Sequence, residues 1–511
     1  MSLMLPTILG LPLAGAIAVA LTPRNYRFVI RSIAQVVTFL SMLTAFCMFW
    51  HFRPGVEGYQ FQASYEWVKS LGISLKFGVD GLNVGLVLMG AIVAFAATSM
   101  SYMIKEREKE YYLLLLVMIT GILGAFASLD IFFFFFFHEL ALIPTFIMIG
   151  VWGRGEDKNY ATFNITLYLT LGALIALVGL IALYIQTGAK TFDIVAITEY
   201  VKQNPIPQNT QHWIFPLLLF GFGILVSLWP FHTWAPLGYG AAPTATAMLH
   251  AGVLKKFGLY GLLRIAIPLM PEAARSWAHV IAFLCLGNIF YVGLVAMRQR
   301  QLNLLIGNSS VAHMGLIFLG IASMSVVGVT GAVVIMVAHG LLAALSFAIN
   351  GHIFQQTQTQ NMDQMGGLMK RMPFIGVAVV ASMMAGCGLP GFANFVGEAM
   401  TLFAGWQNFH TVTIFAVWGA LVIGAVYMLR AIRNIVHGPM PEHWERVQDA
   451  RGPLRKLPFV LLGVTLLVFG VYPGLLTEKI KVSVAPIVRA VNPAKATVQI
   501  ASPSKISVAQ K

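Results

Sequence analysis

Residues 372–405 read MPFIGVAVVASMMAGCGLPGFANFVGEAMTLFAG. The stretch is long and apolar enough to cross a bilayer, which takes roughly 20 such residues as a helix. It is also interrupted. Gly386-Cys387-Gly388-Leu389-Pro390-Gly391-Phe392 crowds glycines and a proline into its middle, and a carboxylate, Glu398, follows. Proline and glycine release backbone groups that are tolerated inside a membrane only where protein or water satisfies them. A charge at the bilayer centre costs about 3 kcal/mol even on the gentler insertion scale. The segment therefore predicts a broken membrane helix that lines a hydrated interior.

The rest of the chain has the same character. Of 511 residues, 58% are hydrophobic and only 10% charged, and the mean hydropathy is +0.78. A soluble domain carries about 25% charged residues, so this is an integral membrane protein. Apolar runs fall near 3–21, 28–50, 82–103, 111–129, 130–151, 163–185, 213–235, 243–270, 276–296, 302–325, 327–355, 372–405, 410–434 and 458–478. The expected fold is all-α and polytopic, with about 14 transmembrane helices. The first run starts at once with no basic n-region, which reads as a membrane helix and not a cleavable signal.

Composition also excludes classes of function. Cys47, Cys285 and Cys387 are widely spaced, too few to ligate a cubane cluster and too scattered for a disulfide framework. No Gly-x-Gly-x-x-Gly fingerprint follows a strand and no phosphate loop is present. The chain is expected to hold no nucleotide, flavin, cluster or metal of its own. The net charge of +14 fits loops facing anionic lipid, and without a basic soluble face nucleic acid is not an expected partner.

A second break, Ser227-Leu228-Trp229-Pro230-Phe231, lies about five helices before the first-quoted one. Paired interrupted helices point to an inverted-repeat transporter with two five-helix repeats. The chain then divides into 1–110 (three helices and a loop), 111–270 (first repeat), 271–434 (second repeat) and 435–511 (last helix and tail). Lysine and arginine concentrate in alternate loops, around Arg24, Arg27, Lys105, Arg107, Arg154, Arg298, Lys370, Arg430 and Arg455. That set should face the cytoplasm, with both termini outside.

Few charges fall inside the helices. Glu139, Lys255, Lys256 and Glu398 each sit in an apolar run, and intramembrane ionisable groups of this kind are functional by default, with structural ion pairs as the plainer reading. Of six histidines within or at the ends of helices (His138, His232, His250, His313, His339 and His352), His313 and His339 lie deepest and suit a proton relay. Asp80 reads as a helix-start residue, Arg264 as a snorkelling arginine, and Phe132–Phe137 as packing.

The motifs carrying this pattern resemble a known family. They are Gly78-Val79-Asp80-Gly81-Leu82, Glu139-Leu-Ala-Leu-Ile-Pro144, Trp229-Pro230-Phe231-His232-Thr233-Trp234, Gly252-Val253-Leu254-Lys255-Lys256 with Tyr260-Gly261-Leu262-Leu263-Arg264, Ser309-Ser310-Val311-Ala312-His313-Met314-Gly315, Ala338-His339-Gly340, and Asn394-Phe395-Val396-Gly397-Glu398. In order and spacing the chain resembles the M-type membrane-arm subunit of proton-pumping NADH:quinone oxidoreductase, respiratory complex I, over almost its whole length. The resemblance implies a proton channel along Glu139, Lys256, His313, His339 and Glu398, with Lys255 an extra neighbour. It implies quinone reduction, FMN and iron–sulfur clusters in other subunits, and L-type and N-type membrane-arm subunits as partners in the plasma membrane.

The chain departs from that family pattern in the first half. Leu225 stands where the family's seventh-helix lysine is expected, Ser227 replaces the proline after it, Leu237-Gly238-Tyr239 replaces Asp-Ala-His, and Gln301-Leu302-Asn303-Leu304 replaces Asp-Leu-Lys-Arg. Glu139 thus lacks its expected partner, for which Lys255 or His138 could substitute. Two other readings stay open: a membrane subunit of a cation/proton antiporter or hydrogenase-linked complex, and a non-pumping scaffold.

Overall fold

A computed structural model describes residues 3–56, 58–441, 444 and 446–492; the tail residues Lys495, Lys505 and Lys511 lie outside them. The chain opens with the hairpin α1 (Met4–Leu21) and α2 (Arg27–His51). An antiparallel pair follows, β1 (Gln60–Val68) and β2 (Ile73–Val79), registered with Tyr65 opposite Leu75. Then come α3 (Val84–Met100), α4 (Glu108–Ala127), α5 (Ile131–Trp152), α6 (Lys158–Thr187) and the short α7 (Ile194–Gln203). The first interrupted segment is α8 (Gln208–Val226) and α9 (Trp234–Ala241).

The next crossing is fragmented too. It comprises α10 (Thr244–Gly252), a 3-10 turn over Leu254–Lys256, α11 (Phe257–Gly261), a π turn over Leu262–Ala266, and α12 (Ile267–Leu269). Helices α13 (Pro271–Leu286) and α14 (Val292–Arg298) join through a π turn, and α15 (Leu302–Ala322) and α16 (Val326–Thr357) follow. The second interrupted segment is the one-turn α17 (Leu368–Arg371), then α18 (Pro373–Gly386) and α19 (Ala393–Asn408). The rest is α20 (His410–Val417), α21 (Gly424–Val436), α22 (Pro453–Val471) and α23 (Gly474–Val491).

Among the described residues, twelve helices are long and apolar enough to cross a membrane. That is fewer than the expected count of about 14, because the expected segments 243–270 and 372–405 are built of shorter helical pieces. Both expected breaks are present. Ser227 adopts φ +66 and precedes a cis Trp229–Pro230 bond; Gly388 and Gly391 adopt φ +69 and +102. The left-handed region favours glycine because it has no Cβ to clash. The three-residue turn between α4 and α5 makes them an antiparallel hairpin, as the sequence requires. Asp130 caps α5 by accepting from the amides of Phe132 and Phe133.

Burial separates the helices into a core and a rim. Helix α16 is buried along its hydrophobic length, and α3 and α15 nearly so, whereas α2, α6 and α22 turn most of their apolar residues outward. Phe28 (82% exposed) and Phe163 (65% exposed) show that the rim is apolar, the surface a lipid solvent requires. Small residues bring core helices close: a Cβ on Gly121 of α4 would stand 2.6 Å from the Ala141 amide of α5.

Polar contacts tie the loops into two caps. On the basic side Arg31 grips Glu108 at 2.8 and 2.7 Å and Arg24 meets Glu110 at 2.7 Å. On the opposite side Lys76 meets Asp193 at 2.5 Å, and the Ser483 hydroxyl of α23 accepts from the Gly81 amide.

One expectation for the second cap is corrected and another is extended. Arg264 does not snorkel. It is buried, and its guanidinium binds both Asp80 oxygens at 2.8 and 2.6 Å while donating to the Tyr59 and Tyr260 hydroxyls. Asp80 stands at the helix start, as expected, with its Oδ1 accepting from the Leu82 amide and its carbonyl from the Val84 amide that opens α3, and it is an ion-pair partner besides. An arginine cannot shed its proton, so burial compels a carboxylate beside it. The β-pair and α7 are additions to the all-α reading.

Candidate functional site

The site is centred on α16, which carries His339 through the middle of the bundle. The crossing at 244–269 passes beside it and unwinds where the two lysines occur: Val253 leaves helical geometry (φ −121, ψ −60) and a 3-10 turn holds Leu254–Lys256. Gly340 permits the approach, since a Cβ there would lie 2.8 Å from the Gly252 carbonyl. The turn lets a carbonyl near the lysine serve as its acceptor. The Lys256 ammonium donates to Ala251 O at 2.6 Å and lies 3.0 Å from His339 Nδ1. Lys256 has no exposed surface.

From His339 the path leads to α15. The His313 ring centroid is 5.4 Å from that of His339. His313 Nδ1 lies 2.7 Å from Ser309 O, one turn earlier in its own helix, and Nε2 lies 3.2 Å from Gly386 O. Gly386 ends α18, so the carbonyl is one that the break releases. A neutral imidazole can donate to only one of these acceptors, whereas the imidazolium donates to both. His313 Nε2 is also 3.7 Å from Glu398 Oε1. Glu398 is buried, and Oε1 has no hydrogen-bond partner among the described residues. Gly388 makes room for the carboxylate: a Cβ there would stand 2.4 Å from Oε2. A cavity of about 10 Å³, lined by His313, Glu398, Leu316 and Tyr427 among others, adjoins the pair; it has room for about one water molecule.

Lys256, His339, His313 and Glu398 thus form one line of titratable groups. Between the first and last lie a direct lysine–histidine contact, two neighbouring rings and a histidine–carboxylate approach. Such a line can move a proton by successive protonation and rotation, with water closing the longer gaps.

Glu139 stands apart from that line. It is half-buried on α5, and its ion-pair contact among the described residues is His138 Nδ1 at 3.3 Å. The His138 ring stacks on Phe257, the residue after Lys256, at 4.0 Å between centroids. Leu225 is buried in the last turn of α8. Lys255 does not reach Glu139 either. Its ammonium lies 3.3 and 3.4 Å from Ser310 O and Oγ, and 5.4 Å from the Tyr239 ring centroid. Of the two substitutes expected for the missing lysine, His138 is the one in contact.

Several polar groups of the site are not among the expected residues. Ser309 and Ser310 hold His313 and Lys255, Gly386 offers its carbonyl, Tyr427 lines the cavity, and Tyr239 faces Lys255. Ser309 could have been found as the helical i−4 neighbour of His313; the others come from distant segments. Ser346 and Ser382 add a 2.8 Å hydrogen bond between α16 and α18.

Comparison with known proteins places this geometry among relatives. Residues 128–424 match the family described as "NADH:quinone oxidoreductase/Mrp antiporter, TM". NADH-quinone oxidoreductase subunit M of Rhodobacter capsulatus is 34% identical over 504 residues, 95% of this chain and 96% of that protein. NAD(P)H-quinone oxidoreductase chain 4 3 of a Picosynechococcus species is 32% identical, covering 85% of this chain and 79% of its own length. A chain of respiratory complex I from Thermus thermophilus superposes with a TM-score of 0.86 at 25% identity, covering 96% of this chain and 99% of that one. A chain of the Mrp complex of a Dietzia species shares the fold, with a TM-score of 0.81 at 20% identity and 97% and 98% coverage.

Proposed function

The chain belongs to the membrane-subunit family shared by NADH:quinone oxidoreductases and Mrp antiporters, and from that premise we propose that Lys256, His339, His313 and Glu398 conduct protons through it. It is a polytopic membrane subunit of an NADH:quinone oxidoreductase, with other membrane-arm subunits as its partners. In our reading, quinone reduction and the flavin and iron–sulfur centres reside in those partners. The energy they release reaches this chain by changing the relative proton affinities along its axis, a coupling between distant sites. The basic cap faces the cytoplasm across the plasma membrane, with both termini outside.

The observation that carries this reading is the buried line itself. Lys256 contacts His339, and His313 stands between His339 and Glu398, whose Oε1 lies 3.7 Å from the imidazole with no hydrogen bond among the described residues. A scaffold would need none of these groups, and each is costly in a membrane. Glu139 takes a lesser place, because its contact is the neighbouring His138 and Leu225 is apolar.

The test is purification of the native complex in mild detergent, with an optical spectrum and peptide mass spectrometry. Flavin and iron–sulfur absorbance, together with quinone-site subunits, is the expected result. A colourless assembly of small membrane subunits would make the chain part of a secondary antiporter.

A further inference from the structure

Lys255 is a buried cation that the axis does not use and that, unlike Arg264, has no carboxylate partner among the described residues. It sits next to Lys256, yet its ammonium points elsewhere, to Ser310 and over the Tyr239 ring. The His250 ring also packs edge-on against Tyr239, 5.3 Å between centroids. Tyr239 and His250 are buried, and the Tyr239 hydroxyl and His250 Nδ1 have no hydrogen-bond partner among the described residues. Buried polar atoms in folded proteins are almost always satisfied, and where protein provides no partner, water does. Two such atoms and a lysine with no carboxylate beside it among the described residues form a buried polar pocket whose hydrogen bonding water would complete.

The pocket leads toward the basic cap. Tyr239 is followed by Gly240 and Ala241, whose carbonyls accept from the Asn303 side chain and the Arg154 amide. Arg154 belongs to the basic loop between α5 and α6. Lys256, by contrast, turns toward His339 and the second break. The 3-10 turn thus splays two consecutive lysines, one toward the basic cap and one onto the axis.

We infer that Lys255, with Tyr239, His250 and Ser310 around it, is the proton-loading site of this chain, connecting water at the basic cap to Lys256. The Lys255 amine takes a proton from that water to become the ammonium, and returns to the amine when it releases one proton toward Lys256. No other atom or electron moves. The role rests on the proton-conducting reading above. It also gives the chain an inlet that does not pass through Leu225.

The test uses the complete complex in proteoliposomes, with protons translocated per quinone reduced measured for Lys255→Met, Tyr239→Phe and Lys256→Met. Lys255→Met is expected to assemble, since the flexible methionine side chain fills a buried space of similar length, and to lose at least half of the stoichiometry lost by Lys256→Met. Tyr239→Phe is expected to slow pumped turnover several-fold while leaving the stoichiometry intact. If Lys255→Met pumps at the wild-type ratio while Lys256→Met does not, the inlet assignment is overturned and the axis stands. If neither variant changes the ratio, the proton-conducting reading itself fails. If Lys255→Met does not assemble, Lys255→Arg decides: a fixed charge that cannot release its proton must abolish pumping, and retained pumping overturns the inlet.

Discussion

At the scale of single residues, the chain separates charges that hold the fold from charges free to change state. Arg264 and Asp80 are mutually saturated, with two oxygens bound and two tyrosine hydroxyls completing the shell. Removing one partner of such a pair costs about 3–5 kcal/mol because the other is left buried and charged. Asp80→Asn is therefore expected to lower the unfolding temperature of the purified complex markedly, and Asp80→Asn with Arg264→Met to recover part of the loss. An unchanged melting temperature in the single variant would contradict the pairing. Glu398 is the opposite case, with Oε1 unpartnered and His313 only 3.7 Å away. Gly388 keeps the carboxylate in place by having no side chain. Gly388→Ala would also force alanine into the left-handed region, at about 1–2 kcal/mol. The variant is expected to assemble with near-normal quinone reduction and reduced pumping; equal pumping would show that the carboxylate position does not matter.

At the scale of elements, the sequence was most legible where one residue type alone dictates geometry. The breaks at Ser227–Phe231 and Gly386–Phe392 are visible because proline and glycine act locally, and Glu398 is visible because a carboxylate is rare in an apolar run. What escaped depends on long-range contact or on weak periodicity. The β-pair alternates poorly, its first strand leaving most residues exposed or half-buried. Helix α7 has ten residues, too short for a search tuned to membrane-spanning runs. The Asp80–Arg264 pair joins residues 184 apart, which no local pattern reveals. The direction of Lys255 escaped because the 3-10 turn that sets it is a backbone feature. Helix packing yields its own test. Gly121→Val in α4 would drive a side chain into the Ala141 amide of α5, 2.6 Å from the first added carbon. That variant is expected to fail to assemble, whereas Gly463→Ala in α22, with nothing within 4 Å of its Cβ, is expected to be silent. Blue-native gels of the membranes would read both, and normal assembly of Gly121→Val would mean the two helices are looser than described.

At the scale of the whole molecule, two caps and a fully buried α16 hold the helices around one polar line, and that line lies mostly in the second half of the chain. The family's first-half lysine is replaced by Leu225, and His138 is the group in contact with Glu139. If Glu139 serves only that local pair, Glu139→Gln should reduce pumping far less than Glu398→Gln; equal losses would show that both halves conduct. The central claim is that protons leave the axis through Glu398. It is tested most directly by the number of protons translocated per quinone reduced in proteoliposomes containing the complete complex with Glu398→Gln. The account predicts an assembled complex whose stoichiometry, turnover or both fall clearly below wild type. A variant that assembles, reduces quinone and pumps at the wild-type ratio would contradict it.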